Sequence, residues 1–152
     1  MSNPYPQQPQ QLTYPSLTPG EPPLWAPHYG ANARQALKRF FKKYATFTGR
    51  ASRSEFWWWA FVYYLFIGVL WFIGLAQRGS TIDYVTILML VWLLGVTVPM
   101  LALIARRLHD ANLSGWFMFL GSIPFVGTVV LLIFMLLPPK PAGQRFDQPP
   151  AP

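Results

Sequence analysis

The sequence predicts an all-α membrane protein, with three transmembrane helices preceded by an amphipathic interfacial helix and flanked by disordered proline-rich tails. Two observations carry this reading. Only 11% of the residues are charged, where a soluble globular domain has roughly a quarter. The apolar residues also gather in three long uncharged blocks instead of alternating with polar positions.

The leader, residues 1–33, holds eight prolines, four glutamines and one charged residue, Glu21. Such a composition buries too little apolar surface to offset its ordering entropy, so a disordered, polyproline-rich tail is expected. Tyr5, Tyr14, Trp25 and Tyr29 are the side chains in it that could dock on a partner. The first thirty residues show no basic start followed by an apolar core, so no cleavable signal peptide is expected.

Residues 34–54 form a basic amphipathic segment. Leu37, Phe40, Phe41, Tyr44 and Phe47 recur at spacings of three and four, with Arg34, Lys38, Arg39, Lys42 and Lys43 between them. That pattern predicts a helix over about 34–48, lying in the headgroup plane with its aromatic face sunk into the acyl boundary.

A transmembrane domain follows over 55–137. Residues 56–76, 84–105 and 115–137 are runs of 21, 22 and 23 residues without a charge, each beyond the ~20 needed to cross a hydrocarbon core of about 30 Å as a helix. Pro99 and Pro124 fall inside the second and third runs, where each is expected to kink its helix. Residues 138–152 carry six more prolines and read as a second unstructured tail.

Charge gives a direction. Seven of the twelve basic residues lie between Arg34 and Arg53. Beside a membrane span this is a topology signal and a contact with anionic lipid headgroups, with no recognisable module for nucleic acid. With three spans, nine basic residues fall on one side and three on the other. The amino terminus and the loop at 106–114 are then cytoplasmic and the carboxyl terminus lies outside. Cysteine is absent, which excludes disulfides and thiolate metal sites.

Two polar stretches stand out. Gly49-Arg50-Ala51-Ser52-Arg53-Ser54-Glu55-Phe56-Trp57-Trp58-Trp59 opens the first span. Ser52 and Glu55 have the spacing of a capping box, and Trp57, Trp58 and Trp59 suit headgroup depth. Arg106-Arg107-Leu108-His109-Asp110 ends the second span, and Ser114-Gly115-Trp116 opens the third, with Ser114 as its cap. Three antiparallel spans bring both stretches to one membrane face. Glu55 is expected to meet Arg106 or Arg107, and Asp110 to meet Arg50 or Arg53.

Three roles suit the group Arg50, Arg53, Glu55, Arg106, Arg107, His109 and Asp110. One is an interhelical clamp of salt bridges. Another is a site for an anionic lipid head or other phosphate. The third is a lipid-headgroup enzyme using His109 and Asp110, although neighbouring helical positions point about 100° apart and suit neither a metal pair nor an acid–base dyad. No cofactor is expected.

The two stretches, with Ile123-Pro124 and Gly143-Gln144-Arg145-Phe146 downstream, resemble the bacterial membrane family catalogued as domain of unknown function 805. The resemblance covers about 40–146. It departs at Gln144 and Asp147, where the family pattern has asparagine and glycine, and at Asn112-Leu113. It implies a small inner-membrane protein and supplies no enzyme activity. The expected function is therefore a noncatalytic membrane interaction or lipid-binding protein, with a small oligomeric channel or transporter subunit as the alternative. Anionic membrane lipids, and a protein partner or a second copy of itself, are the expected partners.

Overall fold

The computed structural model describes residues 21–76 and 84–147. The first twenty residues with Tyr5 and Tyr14, the 77–83 connection with Arg78, and residues 148–152 lie outside it. Every regular element described is helical: α1 (Ala33–Lys42), α2 (Arg53–Ala76), α3 (Tyr84–Asp110), a 3-10 segment (Gly115–Ser122), α4 (Val126–Leu136) and a 3-10 turn (Pro141–Phe146).

α2 and α3 are the two helices long and apolar enough to cross a membrane. At 24 and 27 residues and 1.5 Å per residue they run to about 36 and 40 Å, longer than the hydrocarbon core. They pack through Trp59 and Trp92, whose ring centres are 6.1 Å apart, and through Phe66 against Trp92 at 4.1 Å. Val96, Leu103 and Leu108 complete the buried seam from α3. α3 does not stop at 105. It continues through Asp110, so Arg106, Arg107, His109 and Asp110 all stand on the helix.

The third apolar run departs from expectation. It is not one helix but a hairpin. The 3-10 segment spans eight residues and α4 eleven, so each arm is about 16 Å long, half the hydrocarbon thickness. Phe117 of the first arm meets Phe134 of the second at 5.7 Å, which sets the arms antiparallel. Gly121-Ser122-Ile123-Pro124 explains the break. Proline keeps its predecessor out of the helical region, and glycine and serine favour the turn. Pro124 thus sits at the tip of a hairpin, followed by Phe125 at φ 59°, a strained conformation for a bulky residue.

The hairpin returns to the face it left. Arg107 donates to the carbonyls of Met135 (3.0 Å) and Leu137, and Arg53 donates to Leu137 at 3.0 Å. Beyond α4, the Lys140 amide bonds the Asp110 carbonyl at 2.8 Å and the Gly49 amide bonds the Phe146 carbonyl at 2.9 Å. The carboxyl-terminal segment therefore lies against the start of α2, and the expectation that the two ends flank opposite faces fails with the third span. Compartment reporters fused to either end of the full chain should score on the same side. Opposite sides would restore a third crossing.

Candidate functional site at the polar face

Glu55 is the centre of the first group. Its helix begins at Ser52: the Glu55 amide donates to Ser52 Oγ at 3.2 Å and the Ser52 amide to Glu55 Oε2 at 2.8 Å, the capping box the sequence suggests. The same carboxylate accepts from the His28 amide at 3.2 Å and from Arg39 Nε at 2.5 Å. Both Arg39 and Glu55 are buried. Glu55 pairs with Arg39, not with Arg106 or Arg107.

Arg39 enters the interior because α1 is not a free interfacial helix. Asn32 and Gln35 form its capping box, with bonds of 2.9 and 3.0 Å. It ends at Lys42, short of 48. Phe40 then stacks on Trp59 with ring centres 3.5 Å apart, which turns Arg39 and Lys43 inward and leaves Phe41, Tyr44 and Phe47 exposed. Arg39 spends its remaining donors on the carbonyls of Pro22, Pro23, Leu24 and Ala26. Residues 21–32 are thereby held across the face, where a solvated tail was expected. Gly49 fits beneath them at φ +78°; a Cβ there would lie 2.6 Å from the Trp25 carbonyl oxygen.

Asp110 is the second centre. It accepts from Tyr29 Oη at 2.7 Å and from Arg107 Nη1 at 3.0 Å, and Arg50 Nη1 stands 3.7 Å away. Arg50 also forms a fork with Asp147, at 2.9 and 2.7 Å. Arg107 closes this group against the hairpin by satisfying carbonyls at the end of α4. Of the expected contacts of Asp110, the one with Arg50 forms. Arg53 instead serves Leu137. Asp147, one of the departures from the family pattern, stands closer to Arg50 than Asp110 does, at 2.7 against 3.7 Å.

Two cations remain. Arg106 gives Nε to the Ala102 carbonyl at 3.0 Å, while its Nη2 and the Lys43 amine are buried without a hydrogen-bond partner among the described residues. Burial, with Arg39 and Arg106 near, pulls the Lys43 amine from 10.5 to about 7, against the opposing pull of Glu55. His109 faces away from the carboxylates: its Nδ1 is 3.1 Å from the Gly49 carbonyl and its ring stacks on Phe146 at 4.0 Å. His109 and Asp110 therefore serve separate sets of partners, and no dyad forms between them. Among the described residues, no group of three or more His, Cys, Asp or Glu could hold a metal ion. Trp57, Trp58 and Trp116 are exposed as interfacial residues would be, whereas Trp59 is core.

Sequence reading missed Arg39, Lys43, His28, Tyr29 and Asp147. The available signal for Arg39 and Lys43 was their spacing of four beside Phe40, which a carboxylate at the helix start could draw inward.

Removing either member of the Arg39–Glu55 pair strands a buried charge, so Glu55→Ala and Arg39→Ala should each cost about 3–5 kcal/mol. The double variant should cost much less than their sum, measured by thermal or denaturant unfolding in detergent. Additive losses would dissolve the pair. For Lys43, the folded amine releases its proton near 7 and the unfolded one near 10.5. Between those values the unfolded chain holds the extra proton, so stability climbs with pH across the window. Lys43→Met should flatten that climb; an unchanged slope would place the titration elsewhere.

Comparison with known proteins places the chain in a family. Residues 44–148 match the family model described as "Protein of unknown function (DUF805)". The chain is 34% identical over 109 residues to inner membrane protein YhaI of Escherichia coli K12, covering 72% of this chain and 89% of that one. It is 31% identical over 112 residues to inner membrane protein YhaH of the same organism, covering 74% and 93%. No solved structure matches.

Proposed function

Since this chain belongs to the bacterial inner-membrane family of domain of unknown function 805, we propose that it is a noncatalytic membrane interaction protein. In this reading α2 and α3 anchor a folded cap, built from the leader, α1 and the carboxyl-terminal segment, that is offered to a partner protein. The observation that carries it is how the cluster spends its charges. Arg39, Arg50, Arg53 and Arg107 each hold a carboxylate or a backbone carbonyl of this same chain. A site built for a phosphate would keep such donors free, so the clamp is favoured over an anionic headgroup site.

The hairpin also sharpens the orientation. With the carboxyl-terminal segment on the capped face, all eleven basic residues among the described residues belong to that face. By the positive-inside tendency the cap is cytoplasmic.

A photo-crosslinking residue at Lys42, on the exposed side of α1, should give a discrete protein adduct in native cells. The same probe at Phe72, on the exposed flank of α2, should give lipid adducts alone. Equal patterns at both positions, or no protein adduct at the cap, would overturn the reading. Anionic vesicles should leave the melting temperature of the full chain where neutral vesicles put it. A rise that disappears in Arg50→Gln would return the cluster to lipid binding.

A further inference from the structure

A cavity of about 410 Å³ opens between the end of α3, the start of the hairpin and the carboxyl-terminal turn, within the size range of small-ligand pockets. Its walls include the rings of Phe47, Trp116 and Phe146, with Ala105 behind and His109 and Ser114 as the polar side chains. It lies apart from Glu55 and Asp110, and the clamp uses none of these side chains.

The imidazole is held in one orientation. A carbonyl can only accept, so the contact with Gly49 fixes the neutral ring's proton on Nδ1. Nε2 is left as an acceptor and makes no hydrogen bond among the described residues. The stack on Phe146, with planes 5° apart, stops the ring from turning. Gly115 leaves room for it: a Cβ at that position would stand 3.0 Å from Nε2. The Arg145 guanidinium sits 4.7 Å from the centre of the Phe146 ring. Trp116 is 77% exposed at the mouth of the hairpin, on elements whose other large side chains, Phe117 and Phe119, also face outward.

We propose that this cavity receives the headgroup of a membrane phospholipid bearing a primary ammonium. Each part of such a headgroup has a counterpart. The N–H bonds of the ammonium satisfy the Nε2 lone pair and its charge lies among aromatic faces. Arg145, outside the lining but over the Phe146 ring, is the cation beside the cavity for the phosphate. An anionic head without a donor offers Nε2 nothing, and a quaternary ammonium can use the rings but not the nitrogen. The source is the bilayer because the cavity opens beside outward-facing aromatic residues at the end of a span. The inference rests on the membrane placement of α2 and α3, not on the cap's partner, so the crosslinking result at Lys42 leaves it untouched.

The test is native mass spectrometry of the full chain extracted from vesicles holding equal phosphatidylethanolamine and phosphatidylcholine. The retained lipid should favour phosphatidylethanolamine by about fivefold, the worth of one hydrogen bond. His109→Phe keeps an aromatic ring against Phe146 and should erase the preference while lipid is still retained. Ala105→Leu fills the cavity and should remove the lipid itself; should it not fold, the His109→Phe comparison still decides. Equal retention of the two lipids by the native chain, or an undiminished preference in His109→Phe, overturns the assignment. So does displacement of the lipid by soluble glycerophosphoethanolamine, which would make the ligand a water-soluble amine.

Discussion

A carboxylate buried at the first turn of a membrane helix is the constraint around which this chain arranges itself. Glu55 cannot remain charged in that position without donors. The start of α2 supplies one through the Ser52 amide, and the helix dipole favours a negative charge there. The others come from elsewhere in the chain: His28 from the leader and Arg39 from α1. Satisfying one side chain therefore recruits the leader and α1 to the mouth of α2. Arg39 then extends the effect, because a guanidinium has more donors than one carboxylate can take. The surplus goes to four carbonyls of the leader, a proline-rich segment with few backbone donors of its own to occupy them.

Asp110 does for the carboxyl-terminal half what Glu55 does for the amino-terminal half. Through Arg107 it is joined to the last carbonyls of α4, which no further turn of helix could satisfy. This fixes the hairpin where it re-enters the face. The deep end of the hairpin has its own solution. In hydrocarbon every backbone donor needs a partner, and the tip supplies them locally: Ile123 to Leu120, Val126 to Pro124 and Gly127 to Ile123, at 2.9, 2.7 and 3.1 Å. A turn closed in this way keeps most of its backbone donors paired within the hairpin.

Much of this was legible beforehand. The capping box at Ser52 and Glu55, the cap at Ser114, the two long spans and the meeting of both polar stretches at one face all follow from local chemistry. The third span did not, since hydropathy counts apolar residues without asking whether Gly121-Ser122-Ile123-Pro124 can stay helical. The partner of Glu55 did not either. Periodicity assigns every charge on α1 to solvent, and Arg39 is buried only because α1 lands on Trp59, a tertiary fact. Pairing among several arginines and two carboxylates is under-determined by sequence. The separations within a motif are fixed, but those between motifs depend on how the helices pack.

The charge balance of the face explains why carbonyls matter so much to it. Eleven basic residues share the face with four acidic ones, Glu21, Glu55, Asp110 and Asp147, so carboxylates alone cannot neutralise the buried arginines. Helix ends and the leader make up the deficit with partial negative charges. These differ from carboxylates in one respect that shapes the cap: they do not titrate. The hold of Arg107 on Met135 and Leu137, and of Arg39 on the leader, persists whatever the protonation of their acidic partners. On α1, Lys38 pairs with Glu21 at 3.4 Å, and Arg34 and Lys42 face outward as the remaining charge of the cap. A face of this kind keeps most of its arginines for its own architecture and leaves Arg34 and Lys42 to whatever approaches it.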